Sequence, residues 1–492
     1  MKTASALAAA LFALRSFATD PLTADKAEAD IKTQELERNL WNLNKIARDN
    51  GGNRAFGLPG YKASSDYILE RVQGRFHKQL DTKLQYFDHL FVQTREIKVT
   101  GPDGEDVYVV ALQYNHATDL PGGTTAPLID IPVDDVRGSA CFADQWEGID
   151  ATGKLALIKR GSCAISDKLK LAKAHGAVGV ILYNQTPGTA IGSATLSAEN
   201  RGLLVPVGLI PLENAEAWKV RLAAGETLEV TLLVDAIWDT RQTWNIISET
   251  KEGDPNNVIV LGAHLDSVQE GPGVNDDGSG TTALLEIAGS IKKYSGFKNK
   301  IRFIWWGAEE SGLIGSLYYT SQLSEAEADA IRFYWNYDMI GSINPVYNVY
   351  LGDNAGDLYG AQPIFDYIKA QGKPAAFGGF GSSSDYVGFL NLGIPSSGIF
   401  TGAGAPTDPC YHLACDNLDN INWDALTINT KAAARVAAQF ALELPEGLPR
   451  RSKTTPARRS RDAIRREFQK WALAAEQAEH SKSCSHSDHN IY

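Results

Sequence analysis

The regular alternation of apolar strands and helices between residues 240 and 448 constrains the fold most strongly. The runs "NNVIVLGAH", "KIRFIWWGAEE", "FYWNYDMIG" and "GIPSSGIFTG" are typical of buried strands. Helical patterns, "GSGTTALLEIAGSIKKY" and "GLIGSLYYTSQL", separate the first three of them. Strands that are apolar on both faces need helices on both sides of their sheet. We therefore predict an α/β sheet covered by helices on both faces.

Polar side chains follow these strands where each one ends. They are His264 and Asp266 after the first strand, Asp276 and Asp277 in the turn before the first helix, Glu309 and Glu310 after the second strand, Asp338 after the third, and Tyr411 and His412 in the loop after the last. Sites in open α/β sheets form at the carboxyl ends of the strands. We expect these residues to converge on one rim.

Each residue also has a simpler interpretation. His264 alone could be a hydrogen-bonded core histidine, Asp276 and Asp277 a turn or a helix N-cap, and Glu309 with Glu310 a solvated helix start. Together, two histidines and several carboxylates predict a metal site, for which Zn²⁺ fits best and Mn²⁺ or Co²⁺ is possible. Five ligands suit two ions that share one carboxylate. Of the adjacent glutamates, one should bind metal and the other should transfer a proton. Asp266 should accept the second N–H of His264.

The N-terminus has the pattern of an export signal. Lys2 precedes an apolar run over residues 6–14, which is too short to span a bilayer, and small residues favour cleavage near Ala18. A short buried helix is the alternative. The formal net charge of −12 argues against nucleic acid as a partner. We found no other segment that could span a membrane.

The remaining segments differ from the alternating core. Residues 120–235 contain short β-rich runs and one helical pattern, "SDKLKLAKAHGA", and we predict a compact insert there. Residues 449–492 hold ten basic and five acidic residues, and we predict a largely disordered tail that could contain a lone helix. In an exported chain, Cys410 could pair with Cys415 and Cys141 with Cys163, and Cys484 then has no predicted disulfide partner. Asn184 begins the N-glycosylation sequon "NQT".

The motifs "GAHLDSV", "GVNDDGSG", "WWGAEESGLIGS", "YDMIGS" and "DPCYHLACD" resemble those of the M28 family of zinc aminopeptidases. The segment "NGGNRAFGLPGYKASSDYI" is similar to the start of that family's domain. The resemblance implies an αβα sandwich with a mixed, mostly parallel sheet and two zinc ions. It assigns His264 and Asp338 to one ion, Glu310 and His412 to the other, and Asp276 to both. It makes Glu309 the general base and Tyr411 an oxyanion donor, has Asp266 orient His264, and implies a cis peptide bond between Asp276 and Asp277.

Residues 120–235 resemble a protease-associated (PA) domain. We therefore divide the chain into a signal peptide (1–18), an N-terminal part of the peptidase domain with a possible propeptide at its start (19–118), a β-rich PA insert (119–236), the catalytic domain (237–448) and the tail (449–492). Signal, insert and motifs together resemble secreted or vacuolar fungal leucine aminopeptidases. One departure is Ser383, which stands where several relatives carry an arginine before a Ser-Asp pair.

The expected function is removal of single N-terminal residues, with Leu or other apolar residues preferred. The aromatics in "WWG", "FGGF" and "IFTG" would either form the apolar side-chain pocket or belong to the core. We expect peptide substrates with a free N-terminus, a monomer, and neither nucleic acid nor membrane partners. The alternatives are a carboxypeptidase on the same scaffold, which should carry a further helical domain, and a non-catalytic receptor, which should have lost metal ligands.

Overall fold

The computed structural model describes residues 20–189, 191–192, 194–453, 464–466 and 468–469. The predicted signal peptide, most of the tail and Cys484 therefore lie outside the described residues. The chain divides into two compact units, of which the second begins at residue 88, ahead of the expected insert boundary at 119, and ends at 241. The first unit holds the described residues before 88 and from 242 onward. No helix within the described ranges is both long and apolar enough to cross a membrane.

The described residues form fifteen strands and eleven α-helices. The strands are β1 (Asp20–Pro21), β2 (Leu80–Thr100), β3 (Asp106–Val107), β4 (Thr124–Asp130), β5 (Leu155–Lys159), β6 (Gly179–Tyr183), β7 (Val207–Ile210), β8 (Glu229–Thr250), β9 (Asp254–His264), β10 (Tyr294–Ser295), β11 (Asn299–Trp306), β12 (Ile331–Tyr337), β13 (Tyr347–Tyr350), β14 (Ala375–Gly378) and β15 (Ser396–Phe400). The helices are α1 (Ala24–Asp30), α2 (Thr33–Asp49), α3 (Pro59–Leu69), α4 (Ile165–Ala174), α5 (Leu212–Ala223), α6 (Gly278–Ile291), α7 (Ile314–Gln322), α8 (Glu325–Ala330), α9 (Asp357–Ala370), α10 (Tyr386–Asn391) and α11 (Trp423–Leu442).

The sheet of the first unit is mixed and mostly parallel. Its strand order is β14-β13-β15-β12-β9-β11-β8. Strand β9 pairs in parallel with β11 and β12, β12 with β15, and β13 with β14. Strand β8 pairs with β11, and β13 with β15, in antiparallel fashion. The predicted fold class is therefore confirmed.

Alternating side chains of the central strands enter two separate cores. In β9, Ile259 and Leu261 pack on one face, whereas Val258 and Val260 pack on the other. In a strand, successive side chains point to opposite faces of the sheet. Helices α2, α6, α9 and α11 cover the first face, and α7, α8 and α10 cover the second. This arrangement makes the unit an αβα sandwich and explains why its strands read as continuous apolar runs.

The second unit is an α/β domain of its own. Strands β4, β5, β6 and β7 form a parallel row, and the start of β8 pairs with β4 in antiparallel fashion. Helix α4 coincides with the predicted helical pattern. Helix α5 was missed by the sequence analysis, and it makes the insert less β-rich than expected. It buries Ala215 and Trp218, three residues apart on one helix face, against the strands.

Both predicted disulfides are present. The Cα atoms of Cys141 and Cys163 lie 5.9 Å apart, and those of Cys410 and Cys415 lie 5.3 Å apart. The glycosylation of Asn184 stays a prediction. This side chain follows β6 and is only 8 % exposed, and its Nδ2 atom, which a glycan would occupy, donates hydrogen bonds to Thr186.

The described tail residues differ from the predicted disorder. Arg451 donates to Asp329 of α8 over 2.6 Å and is almost fully buried. Farther along, residues 464–466 and 468–469 are helical, and the Phe468 ring packs against Tyr318 with 4.7 Å between centroids. Ion pairs and buried aromatic area compensate for the conformational entropy that these segments lose when they become ordered. The prediction of disorder rested on the polar composition of the whole tail, which does not show these contacts.

Candidate metal centre

Four parallel strands bring the predicted residues to one edge of the sheet. Strand β9 ends at His264, β11 ends just before Glu309 and Glu310, β12 ends at the residue before Asp338, and the loop after β15 carries His412. Because β9 pairs in parallel with β11 and β12, and β12 with β15, all four carboxyl ends lie at the same edge. The convergence on one rim follows directly from this topology.

Asp276 lies between the two histidines. Its Oδ1 atom is 3.0 Å from Nε2 of His264, and its Oδ2 atom is 3.2 Å from Nε2 of His412. Asp338 Oδ1 lies 3.6 Å from the same nitrogen of His264, and Glu310 Oε2 lies 3.1 Å from that of His412. The five predicted ligands therefore form two groups, His264 with Asp338 and His412 with Glu310, and share Asp276.

The donor atoms are suited to cations. Ligand atoms of His264, Asp276 and Glu310 lie within 4.8 Å of one another, as do those of His264, Glu309 and Asp338. Oδ1 of Asp338 is buried and has no hydrogen-bond partner in the described part of the chain. A buried carboxylate oxygen without a donor is costly unless a cation approaches it. The residues present thus fit a metal pair, and by geometry alone Glu309 is as close to His264 as a ligand would be.

Asp266 acts differently from the prediction. Nδ1 of His264 lies 3.1 Å from the main-chain carbonyl oxygen of Asp266, whereas the carboxylate is 3.8 Å from this nitrogen. The carboxylate instead accepts the backbone N–H groups of Glu309 (3.1 Å) and Glu310 (3.2 Å). Asp266 therefore orients His264 through its carbonyl oxygen. Its side chain points to β11, where two main-chain donors would otherwise be buried without partners.

The two neighbouring aspartates have separate roles. The bond between Asp276 and Asp277 is cis, as the resemblance implied. Asp277 is the N-cap of α6 and accepts from the N–H of Gly280 at 2.7 Å. It also accepts from the N–H groups of His264 (3.1 Å) and Met339 (3.3 Å). The capping interpretation thus holds for Asp277, and the ligand interpretation fits Asp276.

Two aspartates that the sequence analysis missed hold the segment of Asn275 and Asp276. Asp416 accepts the N–H groups of Asn275 (2.9 Å) and Asp276 (3.0 Å). Asp408 accepts from the side chain of Asn275 at 2.6 Å. Both flank the cysteine pair in "TDPCYHLACD", so their position around the loop of His412 was the available signal.

A buried hydrogen-bond chain also supports Asp338. Ser384 donates to Oδ2 of Asp338 over 2.6 Å, and Asn336 donates to the Ser384 hydroxyl over 2.8 Å. Asn336 in turn accepts from the hydroxyl of Tyr334. The neighbouring Ser383, at the position of the expected arginine, is exposed and lies 3.5 Å from the Tyr386 hydroxyl.

His412 and Tyr411 occupy the loop closed by the second disulfide. His412 adopts a left-handed backbone conformation with φ of 59°. The Tyr411 ring stacks on the imidazole at 3.8 Å between centroids, and the residue is 36 % exposed. The ring therefore lies against the imidazole of a candidate ligand, and part of the Tyr411 side chain is open to solvent.

Electrostatics at the cluster reflect competing carboxylates. Burial disfavours a charged His412, but Glu310 and Asp276 outweigh it and raise its pKa to about 11. Burial and then Asp276 raise the pKa of Glu310 to about 7, against the opposing effect of His412. Burial would raise the pKa of Asp276, but hydrogen bonds from the two histidines lower it overall. Without a metal the cluster therefore retains protons near neutral pH, and cations would displace them.

This rim has the composition of a hydrolytic metal centre with a proton-accepting carboxylate beside it. Residues 245–437 match Peptidase family M28, and residues 124–218 match the PA domain. Aminopeptidase Y of Saccharomyces cerevisiae is 34% identical over 449 residues, which cover 87% of this chain and 82% of that protein. The probable leucine aminopeptidase 2 of Aspergillus oryzae is 34% identical over 459 residues, which cover 88% and 89%.

Solved structures of aminopeptidases are also similar to this chain in fold. The aminopeptidase from Aneurinibacillus sp. strain AM-1 superposes with a TM-score of 0.71 at 27% identity, over 89% of this chain and 100% of that one. The zinc aminopeptidase of Bacillus subtilis has a TM-score of 0.65 at 27% identity, over 87% and 99%. The chain belongs to peptidase family M28 and carries a PA domain. The family resemblance drawn from the motifs is confirmed, and the chain is an enzyme of the aminopeptidase class.

Proposed function

We propose that this chain is an exported aminopeptidase that binds two zinc ions. The ions would be held by His264, Asp276, Glu310, Asp338 and His412. The observation that carries the proposal is the position of Asp276, which directs one carboxylate oxygen toward each histidine. The zinc assignment is supported by the donor set and by the name of the Bacillus subtilis structure. Export, to the medium or to a vacuole, rests on the N-terminal sequence pattern.

The residues around the ligands supply the rest of the chemistry. Bound zinc would provide Lewis acidity and lower the pKa of a coordinated water. Glu309 is buried, its backbone N–H is held by Asp266, and its carboxylate lies within 4.8 Å of the ligand atoms of His264 and Asp338. In this role Glu309 takes the proton of the attacking water and returns it to the departing amine. The hydroxyl of Tyr411 donates to the oxygen that becomes negative.

A preference for a free N-terminus is supported by the donor and acceptor groups of the rim rather than by its net charge. Two bound zinc ions would offset the charge of the four carboxylates. A free α-amino group would offer a lone pair to an ion or N–H groups to a carboxylate, whereas the nitrogen of an internal peptide bond has no available lone pair. The binding energy of that amino group therefore confines cleavage to the first peptide bond.

An aromatic cluster near the rim supports a preference for Leu or other apolar residues. The Tyr350 ring stacks on Phe380 at 5.1 Å and lies 5.2 Å from Tyr386. Burial raises the pKa of Tyr350, and the neighbouring Tyr386, Asp338 and Glu309 raise it further, so this ring is within electrostatic reach of the centre. Phe380 is only half-buried, and it comes from the "FGGF" motif. The apolar-pocket interpretation thus fits this part of the motif.

The "WWG" aromatics belong to the core instead. Trp305 and Trp306 are fully buried, and they lie on opposite faces of β11 in the two cores. They cannot touch a substrate side chain without rearrangement of the sheet. The relatives named leucine aminopeptidase 2 are a second support for an apolar preference.

Cleavage of one Leu-initiated peptide, offered free and N-acetylated, tests the proposal. The assay is run on untreated enzyme, after chelation, and after zinc is added back. We expect release of Leu from the free peptide alone, loss of activity on chelation and recovery with zinc. Equal cleavage of the acetylated peptide would indicate an endopeptidase, and release from the other end a carboxypeptidase. Activity that survives full removal of metal would overturn the zinc assignment.

A further inference from the structure

Arg54 is a fully buried arginine next to the candidate metal centre, and the chemistry proposed above does not use it. Its guanidinium donates to the main-chain carbonyl oxygens of Leu265, Pro272 (2.9 Å) and Gly273 (2.6 Å). A buried cation is costly, and the lost water is compensated by the three carbonyl acceptors together with electrostatic attraction to the nearby Asp266, Asp277, Asp416 and Asp276. Such a residue needs a reason to be at this place.

The three carbonyl groups belong to the segment that joins two metal ligands. Leu265 directly follows His264, and Gly273 lies three residues before Asp276. Arg54 therefore bridges the two ends of the connection, which would otherwise be an irregular loop. Its own backbone N–H donates to Oγ of Ser267 over 2.9 Å, in the middle of the same segment.

Close packing leaves this segment little freedom around the guanidinium. Gly273 has φ of 59°, and a Cβ atom there would lie 2.2 Å from the carbonyl oxygen of Asp276 and 3.1 Å from Nη2 of Arg54. Oγ of Ser267 also lies 3.0 Å from the carbonyl oxygen of Gly271. The three carbonyl contacts use three different nitrogen atoms of the planar guanidinium, whereas the three N–H donors of a lysine share a single nitrogen atom.

The contacts continue to the second half of the centre. The carbonyl group of Leu265 immediately precedes Asp266, whose carboxylate holds the backbone of Glu309 and Glu310. The positions of a histidine ligand, a shared aspartate and the glutamate pair thus all depend on one clamped segment.

We propose that Arg54 is a positioning residue of the metal centre, which clamps the carbonyl groups of Leu265 and Gly273 and so sets His264 against Asp276. The inference rests on the metal site of the proposed function. It predicts that Arg54 contributes to metal affinity without touching metal or substrate. Partners that orient metal ligands typically contribute about 10- to 100-fold to affinity or activity.

The test measures metal binding to the full chain rather than turnover. Wild type and Arg54→Lys are stripped with a chelator and titrated with Zn²⁺ against a competing dye. Arg54→Lys keeps the positive charge but replaces three separate donor nitrogens by one, so we expect its zinc affinity to fall by about 10- to 100-fold. The absorption bands of the Co²⁺-loaded variant should change as well, because they report ligand geometry.

Two further variants keep the test decisive. Ser267→Ala removes the hydroxyl that accepts from the N–H of Arg54 and donates to the carbonyl groups of Val268 (2.9 Å) and Gly271 (3.0 Å), but it leaves the guanidinium contacts in place. It provides a milder variant should Arg54→Lys not fold. We expect it to lower zinc affinity by a smaller factor. Arg332→Lys is the matched control, because Arg332 is also nearly buried and donates to Leu448 (2.9 Å) and Asn257 (2.8 Å) away from the rim. It should lower the melting temperature and leave zinc affinity unchanged.

The outcomes separate this inference from the proposed function. If Arg54→Lys lowers the melting temperature of metal-free and zinc-loaded protein equally, with unchanged affinity, Arg54 has a structural role only and the inference is overturned. A rise in affinity would show that its charge opposes metal binding, and would overturn it too. A wild-type chain that binds no zinc would overturn the zinc centre itself, and the inference with it.

Discussion

The carboxylate of Asp266 accepts the backbone N–H of Glu309 at 3.1 Å, while its carbonyl oxygen faces Nδ1 of His264. One buried residue thus ties the end of β9 to the turn after β11. It relates the position of a histidine ligand to that of the candidate general base. The relationship explains why a carboxylate is present in the rim without facing the proposed metal positions.

Asp266→Asn should impair catalysis through this connection. The amide offers one acceptor where the carboxylate offered two, and it places an N–H against a backbone donor. We expect kcat to fall by about 10- to 100-fold with KM nearly unchanged. Asp254→Asn is a matched control, because Asp254 also accepts a backbone N–H, at 2.9 Å, but at a partly exposed site. Equal kcat values in the two variants would contradict the prediction.

Substitutions of the two adjacent glutamates should differ in their effects on kcat and on zinc affinity. Glu309→Gln removes the proton acceptor and should lower kcat by about 10²- to 10⁴-fold while zinc remains bound. Glu310→Gln weakens the group around His412 and should lower zinc affinity first, so that added zinc restores part of its activity. Zinc content by elemental analysis and kcat at saturating zinc distinguish the two. The reverse pattern would exchange the roles of the two residues.

The disulfide between Cys410 and Cys415 should contribute more to zinc affinity than to the free energy of unfolding. The paired cysteines are five residues apart, so its removal should cost about 2 kcal/mol of unfolding free energy in the chain-entropy model. Because the loop carries His412, replacement of both cysteines by serine should lower zinc affinity. Replacement of Cys141 and Cys163, which are 22 residues apart, should cost about 3 kcal/mol and leave the affinity unchanged. Chelator competition and urea unfolding measure both quantities, and the prediction is wrong if both pairs affect zinc affinity alike.

The second unit should lose stability as the pH decreases, because His116 binds a proton less readily in the folded chain than in the unfolded chain. Burial, then Lys173 and Arg201, lower the pKa of His116 to about 4. Below about pH 6.5 the imidazole of His116 becomes protonated in the unfolded chain, whereas it stays neutral in the folded chain until the pH approaches its lower pKa. The contribution of the neutral ring is therefore complete above pH 6.5 and is lost as the pH falls toward 4.

His116→Gln should flatten this dependence. The ring nitrogen Nε2 accepts the N–H of Gly202 at 2.9 Å, and a glutamine oxygen can replace it without titrating. We expect the pH slope of the unfolding free energy to decrease by at most ~1.4 kcal/mol per pH unit, and by less because the ring is partly exposed. Urea unfolding between pH 7.5 and 4.5, followed by tryptophan fluorescence, measures the slope. An unchanged slope would exclude His116 as its source.

Phe380→Ala should reduce the preference for Leu. Loss of the ring opens the aromatic cluster around Tyr350, and we expect kcat/KM for a Leu substrate to fall by about 10-fold relative to an Ala substrate. Phe377→Ala is the control from the same motif, since Phe377 is 39 % exposed and stacks on Phe365 at 4.5 Å. A similar change in both variants would place the specificity pocket elsewhere.

Local patterns in the chain were sufficient to predict the strands of the catalytic unit and the residues at their ends. Strands β9, β11, β12 and β15 are buried on both faces, so their apolar runs stand out against the polar residues that follow each one. Parallel pairing then requires those residues to meet at one edge. The motifs around His264 and His412 carried the family resemblance for the same reason, since each motif is continuous in sequence.

The contacts that hold the rim in shape came only from the folded chain. Arg54 approaches its carbonyl groups from more than 200 positions away, and Asp416 reaches the backbone of Asp276 from 140 positions away. Carbonyl and N–H partners carry no side-chain signature, so no pattern in the sequence marks them. The direction of the Asp266 carboxylate likewise depends on which strand lies beside β9. A sequence names the chemical groups at the end of each strand, whereas the packing of distant segments decides which atoms of those groups face one another.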